Sequence, residues 1–240
     1  MLSMKWRSLQ ESSPESGPRR LYEIYAERRE LIARYVPAEI QSSHARVVED
    51  LKQSGIAQRT LREGDSAPGF ELPNQAGVMV RSTDLLSRGA LVVCFIRGRW
   101  CPFCVGQMEA MNAIVPDLEQ LSASLVAISP QNTHQSFLMA DQHKLGFPLL
   151  SDRDNQVSRK FGLVYQVPEY QQEVYRRAFV NLPFIHGVNT WELPIPATFV
   201  IGATAAGCET PRILFSLASP DYTERVEPTD LLLKMAQLLA

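Results

Sequence analysis

Residues 90–121 carry a continuous apolar run, a Cys-x-x-Cys pair and an amphipathic stretch in immediate succession. Ala90 to Arg97 reads ALVVCFIR, rich in β-branched residues and of the length of a central parallel strand covered on both faces. RGRWCPFC follows at once. Val105 to Leu121 then places Met108, Met111, Ile114, Val115 and Leu118 at helical spacing, with Pro116 as the expected kink. A strand that passes through a tight glycine-containing connection into a helix leaves Cys101 and Cys104 at the helix entrance.

Each part of that entrance has a physical task. Unpaired amides and the positive end of the helix dipole favour a thiolate over a thiol. If a cysteine there fell from about 8.5 to about 7, its thiolate fraction at neutral pH would rise from roughly three per cent to half. Pro102 suits the first turn because it has no amide hydrogen to leave unpaired. Arg97 and Arg99 are close enough in sequence to add positive potential, although solvated loop arginines account equally for both. The competing reading of the pair is a structural zinc half-site, which needs two further ligands. No second Cys-x-x-Cys or close histidine pair supplies them, and Cys94 and Cys208 are read as a buried hydrophobe and a spectator.

The rest of the chain supports an α/β reading. Leu21 to Tyr35 and Pro37 to about Gly55 are two amphipathic helices, preceded by a Ser-, Pro- and Glu-rich leader over 1–18 that is expected to be disordered. The domain boundary is placed near 60, with a helical extension before it and the main domain over 61–240. Strands follow at Val78–Val80, Leu125–Ile128, Phe147–Leu150, Ala197–Ile201 and Ile213–Leu217, the last two around a Gly207 turn. Helices follow at His134–Leu145, before Gly162, and at Thr229–Leu239. The order strand, helix, strand, helix implies a parallel core with right-handed crossovers. The stretch 163–194 shows no single period and reads as an insertion with one helix near 171–179. His44, His134, His143 and His186 are isolated in sequence and read as surface or capping residues, with His186 able to approach the site. Pro196 lies directly ahead of a buried strand, where a cis peptide bond would fit a sharp turn, with trans the default.

Composition excludes several classes. A net charge of −2 over 240 residues gives no basic field for nucleic acid or an anionic membrane. The longest apolar stretch is far too short to span a bilayer, and the N-terminus lacks the apolar region of a secretory signal. A cytoplasmic location is therefore expected. Four cysteines are too few and too unevenly spaced for a disulfide framework. No nucleotide, flavin or metal motif stands out, so no bound cofactor is expected.

With GDSAPGFELPNQAG before RGRWCPFC and Gln107, and LPIPATFVI and DYTERVEP after them, the chain resembles the peroxiredoxin-like branch of the alkyl hydroperoxide reductase and thiol-specific antioxidant family. The resemblance implies a thioredoxin-like fold with a central mixed sheet flanked by helices, here with an N-terminal helical extension. Aligning the family pattern Pro-x-x-x-Thr-x-x-Cys puts Cys104 at the peroxidatic position, Cys101 in place of the Thr and Arg97 in place of the Pro. Ile195 and Pro196 stand where those proteins carry an arginine. Trp100, Pro102, Gln107 and Pro196 join Arg97 and Arg99 as supporting positions around Cys101 and Cys104. The resemblance also implies an antioxidant role, an external thioredoxin- or glutathione-type reductant and a homodimer.

The main expectation is a thiol-disulfide oxidoreductase in which Cys101 attacks a protein disulfide and Cys104 resolves the mixed disulfide. The alternative is a thiol peroxidase in which Cys104 becomes a sulfenic acid and Cys101 condenses with it. A third reading, from another class, is a non-enzymatic redox sensor whose N-terminal helices bind a partner.

Overall fold

The computed structural model describes residues 19–202 and 210–239. The leader over 1–18, the Gly207 turn and Cys208 lie outside the described residues. Two helices lead, α1 (Leu21–Tyr35) and α2 (Ala38–Gln53). They break at Pro37, whose predecessor Val36 is extended at ψ 130°, as a residue ahead of proline must be. Beyond α2, Gly55 turns the chain at φ +68°. A hairpin of β1 (Glu71–Pro73) and β2 (Met79–Arg81) and the short α3 (Ser82–Leu86) lead into β3 (Ala90–Phe95).

The amphipathic stretch after the cysteines forms two helices, α4 (Pro102–Ala113) and α5 (Val115–Gln120), separated where Pro116 withdraws an amide donor. Next come β4 (Ala123–Ser129), α6 (Thr133–His143), β5 (Leu149–Ser151) and α7 (Gln156–Lys160). The insertion holds more than the single helix expected of it. Besides α8 (Glu169–Arg177), it contains β6 (Val164–Gln166), a short α9 (Leu182–His186) and β7 (Glu192–Pro194), with β6 and β7 paired antiparallel. Three-residue strands are too short to show a period in sequence. The chain closes with β8 (Ala197–Gly202), β9 (Arg212–Ala218) and α10 (Pro228–Leu238).

The central sheet has the order β5-β4-β3-β8-β9. β3 and β4, and β4 and β5, are parallel, whereas β8 is antiparallel to both β3 and β9. This is the mixed sheet that the resemblance implied. Alternation along β3 explains the unbroken apolar run. Val92, Cys94 and the following Ile96 enter one core, and Leu91, Val93 and Phe95 the other, all at 0% exposure. Full burial of each large side chain here contributes about 1.5–3 kcal/mol.

Of the two N-terminal helices, α1 packs on α4 and α2 on α8. The first amides of α1, those of Leu21 and Tyr22, donate to the two carboxylate oxygens of Glu227 at 3.2 Å, which satisfies donors that a helix start leaves open. α2 is tied to α8 by Tyr170 Oη donating to Asp50 at 2.6 Å and Ser43 Oγ donating to Gln171 at 3.0 Å. Among the described residues no peptide bond is cis, so Pro196 keeps the default trans geometry. The Pro196 carbonyl accepts from the Ser219 amide of the β9 end at 3.1 Å.

Candidate active site

Cys101 is the N-cap of α4, with extended backbone (φ −92°, ψ 114°), and Pro102 takes the first helical position. The Cys104 amide donates to the Cys101 carbonyl at 3.0 Å, so the first turn brings both thiols to one side of the helix start. Both are free thiols, 1% and 0% exposed.

Arg97 lies in the connection between β3 and α4 and is itself buried. Its amide donates to Cys104 Sγ at 3.4 Å, and its Nη1 stands 4.0 Å from Cys101 Sγ. Its Nη2 donates to Tyr175 Oη, and the guanidinium lies over the rings of Tyr222 at 4.5 Å and Trp100 at 4.7 Å. Among the described residues no carboxylate pairs with this cation. A second guanidinium approaches from the segment before α10, where Arg225 Nη2 lies 3.9 Å from Cys104 Sγ. Arg225 Nε donates to Gln107 Oε1 at 2.9 Å, and Gln107 Nε2 donates to Thr198 Oγ1 at 3.3 Å. Gln107 is fully buried, so its amide holds the arginine in one orientation.

The other marked residues divide. Trp100, half-buried, packs on Arg97 and edge-on to Tyr175. Arg99 points away, its amide donating to Gln131 at 2.9 Å and its Nε to Gln135 on α6 at 2.6 Å. Pro196 borders a cavity of about 10 Å³, together with Arg97, His44, Tyr175 and Tyr222, a space of about one water molecule. Cys94 is a buried hydrophobe whose thiol burial pushes up to about 12, even beside Thr198 Oγ1 at 3.8 Å. Among the described residues no group of three or more His, Cys, Asp or Glu could hold a metal ion.

The histidine expectations need correction. His44 is not a surface residue, since it packs against Tyr175 and Tyr222, and burial and the Arg97 charge lower its pKa to about 4. His186 is fully buried, with neither ring nitrogen bonded to a described group, and burial lowers it to about 4.

Electrostatics make the two thiols unequal. Burial opposes ionisation of Cys101, but the Cys104 thiol donating to it and the charges of Arg97 and Arg225 lower it to about 5. Cys104 moves upward, through burial and through the thiolate beside it. The pair therefore holds one negative charge and one proton, shared across a hydrogen bond. Burial also works against the Arg97 charge, but Tyr175, Tyr165 and the thiols keep its pKa above the usual value.

Sequence reasoning did not find Tyr25, His44, Tyr175, Tyr222 or Arg225. Only Tyr222 and Arg225 carried a signal, both lying inside the DYTERVEP segment already singled out. The others arrive from distant helices and loops.

Residues 64–205 match the model of the AhpC/TSA family. The chain belongs to that family. AhpC/TSA relatives include the peroxiredoxin Bcp of Escherichia coli K12, 32% identical over 103 residues, which are 43% of this chain and 65% of that protein. A putative peroxiredoxin of Buchnera aphidicola is 33% identical over 104 residues, again 43% of this chain and 65% of the relative. The match thus spans just under two thirds of those two relatives' length. Solved structures agree in fold. Peroxidoxin BcpB from Mycobacterium tuberculosis superposes with a TM-score of 0.56 at 22% identity, over 74% of this chain and 96% of that one. Peroxiredoxin 6 of Arenicola marina superposes with a TM-score of 0.58 at 16% identity, over 74% and 73%. Both superpositions support the thioredoxin-like arrangement of a central mixed sheet with flanking helices.

Proposed function

We propose that the chain is a thiol peroxidase that reduces a small hydroperoxide with Cys104 and resolves with Cys101. The observation that carries this reading is the burial of both thiols, at 1% and 0% exposure, beneath Arg97 and Arg225. Thiols so enclosed favour a hydroperoxide, which is close to water in size, over a bulky protein disulfide as the first oxidant. Kinship with peroxiredoxins supports the same choice over disulfide reduction.

The chemistry follows from the pair. The single proton passes from Cys104 to Cys101 across the hydrogen bond between them. The Cys104 thiolate attacks the terminal peroxide oxygen, an S–O bond forms, the O–O bond breaks, and the leaving oxygen departs as water or alcohol with a proton taken from solvent water, while Cys101 keeps its own. Arg225 is placed to stabilise the charge on that departing oxygen. Cys101 then attacks the Cys104 sulfenic acid, expelling water and forming the Cys101–Cys104 disulfide. Two equivalents of an external thiol of thioredoxin or glutathione type return both cysteines to the thiol state.

A second reading makes Cys101 the first nucleophile, favoured by its lowered pKa at the N-cap. Stopped-flow peroxide consumption, followed by Trp100 fluorescence, separates the two, with insulin reduction measured in parallel. Peroxide reactivity lost in Cys104→Ser and retained for one turnover in Cys101→Ser supports Cys104. The reverse result assigns the attack to Cys101. Brisk insulin reduction with slow peroxide reaction sinks the peroxidase reading.

A further inference from the structure

We propose that Tyr175 is a positioning residue for the cysteine pair: its phenolic oxygen anchors one arm of Arg97 so that the other arm stays on Cys101 Sγ. Arg97 is a buried cation without a carboxylate among the described residues, and a long side chain in that state has no strong partner to fix its orientation. The aromatic faces of Trp100 and Tyr222 confine the guanidinium to a plane but do not choose its rotation within that plane. Its Nε has no hydrogen-bond partner, so only Nη1 and Nη2 can set that rotation. Nη2 donates to Tyr175 Oη, and this directs Nη1 towards Cys101 Sγ at 4.0 Å. A fork held at one tine aims the other.

Tyr175 is well placed for the task. It is 3% exposed and comes from α8 in the insertion. His44 of α2 packs on one side of its ring and Trp100 lies edge-on at 5.1 Å. The cover helix, the insertion and the cysteine loop therefore meet at this one phenol. Other groups that face the thiols are Tyr25 from α1, Tyr165 from β6, and Tyr222 and Arg225 from the segment between β9 and α10. None of them bonds the Arg97 guanidinium, so none duplicates the anchor.

The decisive measurement is the thiolate titration of the reduced full-length protein, read by absorbance at 240 nm and by the pH dependence of alkylation. It is independent of whether the protein consumes peroxide, so its outcome stands apart from the function proposed above. Tyr175→Phe keeps the ring and removes only the oxygen, and the first titration of the pair should move up by about one pH unit. Tyr170→Phe breaks the 2.6 Å bond from the same helix to Asp50 without touching Arg97, and it should leave the titration in place. An unmoved titration in Tyr175→Phe, or an equal shift in both variants, overturns the proposal.

Discussion

Tyr25 Oη donates a 2.5 Å hydrogen bond to the carbonyl of Phe103, and the two rings meet edge to face at 5.0 Å. Through this contact α1 is fastened to the first turn of the helix that carries Cys104, so the N-terminal helices and the reactive pair share one boundary. Burial and hydrogen bonding act at the same spot, since Tyr25 and Phe103 are 3% and 2% exposed.

Tyr25→Phe should cost about 1–2 kcal/mol of stability, since it leaves a buried carbonyl without its donor. It should also raise the alkylation rate of Cys101 at fixed pH, as α1 opens more often. Denaturant unfolding and timed iodoacetamide labelling check the two effects together.

Arg97→Met keeps an apolar stem between Trp100 and Tyr222 but deletes the charge that faces Cys101. Cys101, lowered to about 5 beside Arg97 and Arg225, should titrate about 1–3 units higher, and the thiolate fraction at pH 7, with the peroxide reaction that depends on it, should fall by up to about tenfold. Arg97→Lys should recover only part of the loss, because an ammonium cannot bridge Tyr175 and Cys101 as a fork does.

The buried neutral His186 predicts acid sensitivity. Its folded pKa, about 4, lies below the ordinary value of 6.5, so the unfolded chain binds the proton first as pH falls. Stability is then full above about 6.5 and is lost between about 6.5 and 4, by on the order of 1–3 kcal/mol. His186→Leu should remove about half of that acid loss, since His44, likewise lowered to about 4, supplies the rest. Urea unfolding of both proteins at stepped pH measures the difference.

Gly162 sits at φ +74°, and a β-carbon there would meet the Arg59 carbonyl oxygen at 2.2 Å. Gly162→Ala should destabilise the fold by about 2–4 kcal/mol, because backbone must move. Gly64, at φ +89° with nothing within 4 Å, isolates the conformational part, and Gly64→Ala should cost only about 1–2 kcal/mol. Thermal melts of the two variants give the comparison.

What could be read from sequence follows the range of the forces involved. β3, the Cys-x-x-Cys entrance, the Pro116 break and the two leading helices declare themselves through local pattern and capping chemistry, and the structure places each within a few residues of expectation. The insertion did not, because β6 and β7 are three residues long and gain their hydrogen bonds only from each other. Tyr175, His44 and Arg225 could not be placed by any periodicity, since they belong to the site only through tertiary packing. Arg97 and Arg99 looked alike in sequence, and only the rings around the first separate a buried cation from one bonded to α6.

The walls of the site are drawn from far along the chain: Tyr25 lies 78 positions before Phe103, Tyr175 78 after Arg97, and Arg225 121 after Cys104. Contacts so distant form late, after loop-closure entropy has been overcome. Until they do, the two cysteines titrate as ordinary thiols near 8.5 and remain mostly protonated at neutral pH. A growing or half-folded chain is thereby chemically quiet, and its sulfur becomes nucleophilic only once the last wall is in place.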